Sequence, residues 1–251
     1  MHLKVNNNKL SPAGAFGKLY LIPSTLGECC AGDVLPRRTV DVVNRISRYV
    51  VENTRSARRF LSRLKIAQPI DSLSFTELNE HTPDAEVAPM LAPLLQGFDV
   101  GIISEAGAPT VADPGAALVS AAHEKGIRVI PLVGPSSILL ALMAAGFNGQ
   151  SFAFAGYLPI KSDDRNRCIR RLERLSAEGQ TQIFMETPYR NNKLLADVID
   201  ACSPHTKLCI AADITLEAEF IATKTIAEWK KGTPDLSKRP CIFVMQQQGR
   251  S

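Results

Sequence analysis

Short β-branched apolar runs bounded by glycine, proline and small polar residues alternate along this chain with longer stretches whose apolar residues recur every three or four positions. The first pattern predicts buried strands and the second amphipathic helices. Residues 18–23 (KLYLIP) predict a strand that runs into the turn Ser24, Thr25, Leu26, Gly27. Pro36 opens a helix over 37–48, where Val40, Val43 and Ile46 repeat at a spacing of three, and a short strand follows at 49–51. After the turn Glu52 to Arg55, a helix is predicted over 57–65, with Phe60, Leu61 and Leu64 facing inward and Arg55, Arg59 and Arg63 on another face. An extended piece at 70–75, a loop at 79–83, a helix over 84–96 closed by Gly97 and a strand at 100–103 complete this stretch.

The strand at 100–103 hands over to SEAGAP and then to Asp113 and Pro114, read as an N-cap and first helical residue. A helix over 114–125, a strand over 127–132 and an apolar helix opened by Gly134, Pro135, Ser136 and Ser137 follow. Strand and helix alternating at short spacing predict a parallel sheet with right-handed crossovers. Helical periodicity stops at 146–150 (GFNGQ), the candidate linker. It divides the chain into an N-terminal α/β domain over 17–148 and a C-terminal domain over 149–251, with 1–16 as a polar, mobile leader. The second half predicts strands at 152–155, 181–185, 207–212, 219–223 and 241–245, helices at 163–175 and 188–201, and a short helix around Trp229. Its late strands have little helix between them, so a mixed sheet is expected.

Composition narrows the class. The chain has 251 residues, 45% of them hydrophobic and 22% charged, which excludes a disordered or fibrous protein. No apolar run reaches the roughly 18 residues needed to cross a bilayer, and the expected location is the cytoplasm. The six cysteines include no pair at the spacing of zinc or redox sites, so reduced, buried thiols are expected. The four histidines are isolated, and no metal site is expected. A net charge of +4 says little, but its distribution says more. Arginines crowd 37–65, and a second group comprises Arg165, Arg167, Arg170, Arg171 and Arg174. Two such helical faces suit phosphate groups.

The chain lacks a G-x-G-x-x-G turn, a Walker-type lysine loop and a G-x-S-x-G elbow, which sets aside dinucleotide, triphosphate and serine-hydrolase chemistry. What it has is a series of strand-end turns: STLG at 24–27, ENTR at 52–55, SEAGAP at 104–109, VGPSS at 133–137 and METP at 185–188. In open parallel sheets ligands bind beyond the carboxyl ends of strands, where small residues let the backbone approach them. Together these turns resemble the tetrapyrrole methylase superfamily of S-adenosylmethionine methyltransferases, and within it the branch that 2′-O-methylates a cytidine ribose in 16S ribosomal RNA. That branch carries Thr-Pro-Ile-Gly-Asn at Ser24–Glu28, Glu-Asp-Thr-Arg at Glu52–Arg55 and Ser-Asp-Ala-Gly-Thr-Pro-Leu-Ile-Ser-Asp-Pro-Gly at SEAGAPTVADPG. It also carries Pro-Gly-Pro-Ser-Ala at Val133–Ser137 and Glu-Ser-Pro-His-Arg at Glu186–Arg190. The likeness runs from Lys18 to Met245. This chain departs from it at Asn53 and Glu105, and at Ala212–Leu216, where the family's Arg-Glu-Leu-Thr-Lys has two basic residues.

The resemblance implies an enzyme with a parallel-sheet domain and a mixed-sheet domain, S-adenosylmethionine in a cleft between them, a homodimer, and in-line methyl transfer to a ribose hydroxyl of ribosomal RNA. Cofactor contacts are then expected from Pro23, Gly27, Ser104, Gly107, Ala108, Pro109, Val111, Ser136 and Ser137. From the second domain they are expected from Leu158, Met185, Ala212, Asp213 and Thr215. Glu105, Glu52 and Glu186 stand at three turns as candidate bases, and Arg55, Arg59 and Arg190 as holders of substrate phosphate. A same-fold enzyme acting on a tetrapyrrole or protein, and a module that binds the cofactor or RNA without catalysis, are the alternatives.

Overall fold

The computed structural model describes residues 16–247, so the expected leader lies outside the described residues except for Phe16. The chain forms two compact units. One comprises the described residues through Ser24 together with Leu35–Gly134, and the other Thr25–Val34 together with Pro135 onward.

The first unit is a parallel sheet of β1 (Leu19–Ile22), β2 (Arg48–Val51), β3 (Ser74–Glu77), β4 (Val100–Ile103) and β5 (Val129–Pro131), in the order β3-β2-β4-β1-β5. Strands β1, β2 and β4 are apolar along nearly their whole length because both faces are covered. Leu19, Val50, Val100 and Ile102 pack with Leu91, Leu94, Leu118 and Ala122 on one side. In chain order the unit's helices begin with α2 (Arg37–Val43), which follows α1 (Ala31–Val34) of the other unit, and continue with α3 (Thr54–Arg63). The helix expected over 84–96 is broken into α4 (Asp84–Val87), a 3-10 turn Ala88–Leu91 and α5 (Ala92–Leu95), because Pro89 and Pro93 each remove a helical N–H. The expected extended piece at 70–75 is a 3-10 turn followed by β3.

A second correction bears on the site. Helix α6 (Ala116–Glu124) begins after Gly115, which has a φ of 121°, so Asp113 does not cap it. Thr110 and Ala112 both hold left-handed backbone, at φ 68° and 63°, and this turns the chain before any helix can start.

The second unit is a mixed sheet in the order β6-β7-β10-β8-β9, made of β6 (Phe152–Tyr157), β7 (Thr181–Met185), β8 (Lys207–Ala212), β9 (Phe220–Thr225) and β10 (Cys241–Gln246). Strand β6 is parallel to β7, while β10 runs antiparallel to β7 and β8. Helix α7 (Ser137–Ala145) belongs to this unit, because Ala141, Leu142 and Ala145 pack on Ile183, Cys209 and Val244. Helices α8 (Ser162–Ala177) and α9 (Asn191–Ala201) contribute Ile169, Leu172, Leu194 and Val198 to a second apolar cluster with Phe184, Ile210 and Phe243. The short helix expected around Trp229 is α10 (Ile226–Trp229).

Candidate active site

In the first unit three strands end abreast. Ile22 and Val51 both pair with Ile103, so Pro23 and Ser24, Glu52, and Ser104 leave β1, β2 and β4 at one level. From β2 the chain moves outward to β3, while from β4 it moves the other way to β5. Diverging exits of this kind leave a crevice between the carboxyl ends of β2 and β4, where open parallel sheets bind ligands. The loop from Ser104 to Gly115 borders it. Ser24 donates its backbone N–H to the Gly107 carbonyl at 2.9 Å, tying the loop to the end of β1. Gly134 lies against the same strand end, where a Cβ would stand 2.2 Å from the Pro23 ring, so this approach needs glycine.

Carboxylates gather at the crevice. Glu52 is half-buried and accepts the backbone N–H of Glu105, while Asp113 accepts the hydroxyl of Ser104, which also reaches the Gly107 carbonyl at 3.3 Å. Burial pushes the Asp113 carboxyl up to about 6, opposed by the Ser104 hydroxyl and reinforced by the charge of Glu105. Burial also raises Glu52, and the charges of Asp113 and Glu105 add to the effect. Glu105 itself is exposed. Asp113 thus joins Glu52 and Glu105, although the Asp-Pro pair in the sequence suggested only a cap.

Helix α3 starts beside Glu52. Asn53 caps it by accepting the Ser56 N–H at 3.0 Å, which explains why an amide is tolerated where the related branch has aspartate. Arg55 and Arg59 are exposed one turn apart on this helix, whereas Arg58 is engaged by Asp71 and lies over the Phe75 ring.

In the second unit β6, β7 and β8 all point the same way, so Tyr157 and Leu158, Met185 and Glu186, and Ala212 to Thr215 share one sheet edge. The side chains of Leu158 and Ala212 belong to the apolar core, which leaves only their main chain for a ligand. Glu186 is not a free base. Its side chain is 1% exposed and accepts both the Thr187 N–H at 2.7 Å and the Arg190 guanidinium at 2.6 Å. Asp213 is likewise held by Arg239 at 2.5 Å. Asp213 and Thr215 have left-handed backbone, φ 50° and 70°, in a turn against which Gly27 packs; a Cβ on Gly27 would lie 2.7 Å from Leu216. Ser136 and Ser137 stand at the start of α7, where Ser136 makes no side-chain cap bond.

Two buried hydroxyls at these strand ends lack a hydrogen-bond partner among the described residues, Ser24 Oγ in the first unit and Thr215 Oγ1 in the second. Such an atom costs about 1–3 kcal/mol unless a ligand supplies its partner. In the sequence Ser24 has one signal for this role, its place directly after a strand and a proline. In each unit, main-chain groups at small-residue turns and an orphaned hydroxyl can bond the polar groups of a ligand. Pro109 and Gly107 are buried in the loop, Ala108 is half-buried, and Val111 is 47% exposed. Among the described residues no His, Cys, Asp and Glu side chains group closely enough to hold a metal ion, and no helix is long and apolar enough to cross a membrane.

A parallel sheet followed by a mixed sheet, each with small and polar residues at its strand-end turns, defines a class that the comparisons identify. Residues 34–230 match the family of tetrapyrrole (corrin/porphyrin) methylases, and the chain belongs to it. It is therefore an S-adenosylmethionine-dependent methyltransferase. A ribosomal RNA small subunit methyltransferase I from Vibrio cholerae is 31% identical over 224 residues, covering 89% of this chain and 74% of the relative. Its counterpart from Mesorhizobium japonicum is 34% identical over 208 residues, covering 83% and 67%. In fold, the chain is similar to a uroporphyrin-III C-methyltransferase from Thermus thermophilus complexed with S-adenyl homocysteine, with a TM-score of 0.54, 15% identity and coverage of 92% of this chain and 97% of that one.

Proposed function

We propose that this methyltransferase acts on the RNA of the small ribosomal subunit, at a ribose 2′-hydroxyl. The relatives of that name, 31% and 34% identical to this chain and covered over 74% and 67% of their own length, support the substrate class. The observation that carries the reading is the crevice between β2 and β4, where Glu52, Glu105 and Asp113 stand beside a helix whose Arg55 and Arg59 are exposed. A sugar hydroxyl needs an acceptor for its proton, which a carboxylate supplies, and the exposed Arg55 and Arg59 suit the phosphates on either side of that sugar.

Bound S-adenosylmethionine supplies an electrophilic methyl group on a sulfonium. Asp113 is the assigned base: with a carboxyl pushed up to about 6 it is ionised at neutral pH yet basic enough to take up a proton usefully. Burial and the charge of Glu105 set that basicity, against the opposing Ser104 hydroxyl, and the Asp113 charge in turn raises the Glu52 carboxyl beside it. Arg55 and Arg59 hold phosphates flanking the acceptor nucleotide. Ser24, Ser104, the 107–111 segment and, in the second unit, Thr215 bind the cofactor, and alignment of the reactants is the largest source of rate, up to roughly 7–11 kcal/mol. Glu186 orients Arg190, which contacts substrate. The enzyme works in the cytoplasm, in keeping with six cysteines that are all free thiols, and as a homodimer, for which exposed Leu139 and Met143 one turn apart on α7 offer an apolar contact.

Incubation of the full chain with tritium-methyl-labelled S-adenosylmethionine and small ribosomal subunits from cells lacking this methylation tests the reading. Label in the RNA, resistant to alkaline cleavage at one nucleotide, is the expected result. Cofactor binding by calorimetry without label in RNA would overturn it.

A further inference from the structure

Helix α8 carries a feature that methyl transfer at the crevice does not use. Arg167, Arg170, Arg171 and Arg174 are all exposed, and at 3.6 residues per turn they fall within an arc of about 100° over a length of about 10 Å. Arg165, which the sequence groups with them, is on the opposite side, buried against Asp197 and the carbonyls of Pro159 and Ile160. Only Arg167 in the stripe has a carboxylate partner, Asp164. Arg170, Arg171 and Arg174 pair with none among the described residues, and Glu173, adjacent in sequence, is turned away to hold Ser203 and Thr206. Like charges three and four positions apart oppose one another along a helix, so four arginines in this stripe are a cost to α8 that a polyanion would offset. Arginine rather than lysine in all four positions suits planar, bidentate bonding to phosphate.

We propose that the α8 stripe is a second RNA-docking surface, holding consecutive backbone phosphates of the substrate RNA. It rests on the RNA reading above and adds to it a surface in the second unit. The stripe binds without reading bases, since guanidinium–phosphate contacts position a nucleic acid and carry no sequence information.

The test measures binding of the full chain to protein-free small-subunit RNA across a salt series, for wild type and for the triple variant Arg170→Ala, Arg171→Ala, Arg174→Ala. The expected result is at least about tenfold weaker binding in the variant and a salt dependence shallower by about 2 in log–log slope, as removal of three phosphate contacts requires. Melting temperature and cofactor affinity should match wild type, and the corresponding triple lysine variant should recover most of the binding. An unchanged affinity and slope in the alanine variant would overturn the inference while leaving the RNA reading intact. So would a loss seen with whole subunits but not with free RNA, which would place a ribosomal protein on the stripe. Failure of the wild type to bind RNA at all would overturn both.

Discussion

Glu186 and Arg190 form a pair in which the carboxylate is buried and the guanidinium is 41% exposed, with the Thr187 N–H donating to the same carboxylate oxygen. The geometry makes the glutamate a fixture and the arginine its outward-facing end. Arg190→Ala therefore leaves a buried carboxylate with one donor fewer and should destabilise the fold. Glu186→Gln keeps the shape but loosens the guanidinium. Thermal denaturation should show the first variant as the less stable, and steady-state kinetics should show both chiefly as a raised KM for RNA. A fall in kcat alone for Glu186→Gln would instead return the glutamate to the role of base.

The Asp113 carboxyl gives a pH signature. Its native value of about 6 lies above the ordinary 3.8, so the folded state holds this proton more tightly than the unfolded chain does. The stability it contributes is complete below 3.8 and is lost as pH rises through about 6. Asp113→Asn should abolish methyl transfer while gaining on the order of 2 kcal/mol relative to wild type at pH 7, a difference that vanishes near pH 4. Denaturant titrations at the two pH values measure it. In wild type, kcat/KM should rise through about pH 6 and level off above.

Ser24 and Thr215 separate cofactor binding from stability. Each hydroxyl is buried without a partner, so Ser24→Ala and Thr215→Val remove no protein hydrogen bond and should leave the melting temperature within a degree or two of wild type, or slightly above it. Calorimetry should show cofactor affinity weakened roughly 5- to 15-fold, the equivalent of one lost hydrogen bond of about 1–1.5 kcal/mol.

Buried and exposed arginines of α8 should behave oppositely. Arg165→Leu leaves Asp197 with Lys193 as its remaining cation and should cost about 3–5 kcal/mol. Arg170→Ala should change stability by no more than about 0.5 kcal/mol. Urea unfolding of the two single variants makes the comparison.

Gly134→Ala tests the tie between the end of β1 and the loop after β5. The added methyl would overlap the Pro23 ring, which cannot swing aside as a flexible side chain would. A loss of about 1–3 kcal/mol is expected, together with weaker cofactor binding if the end of β1 is displaced.

Local pattern carried much of this protein. Runs such as VGII at 100–103 and CIFVM at 241–245 are apolar throughout because both faces of their strands are covered, and this alone marked them as sheet interior. Turn chemistry marked where strands end, and the order of those turns was enough to recognise the family. Other features depend on residues far apart in sequence. The break of 84–96 followed from Pro89 and Pro93 and was legible in principle, but Asp113 was not: an Asp-Pro pair reads as a helix start, and only left-handed Thr110 and Ala112 bring its carboxyl to Ser104 and Glu52. Nor could spacing distinguish Glu52 from Glu186, since their roles differ by one partner, an arginine that folding places against one carboxylate and not the other. Arg165 shows the same limit. Periodicity put five arginines on one helix, but burial, which depends on the neighbouring Asp197 of α9, decided which one is structural and which four face solvent. Sequence determines where the backbone turns and which faces are apolar; charge pairing and proton affinity are set by what tertiary packing brings within a few ångströms.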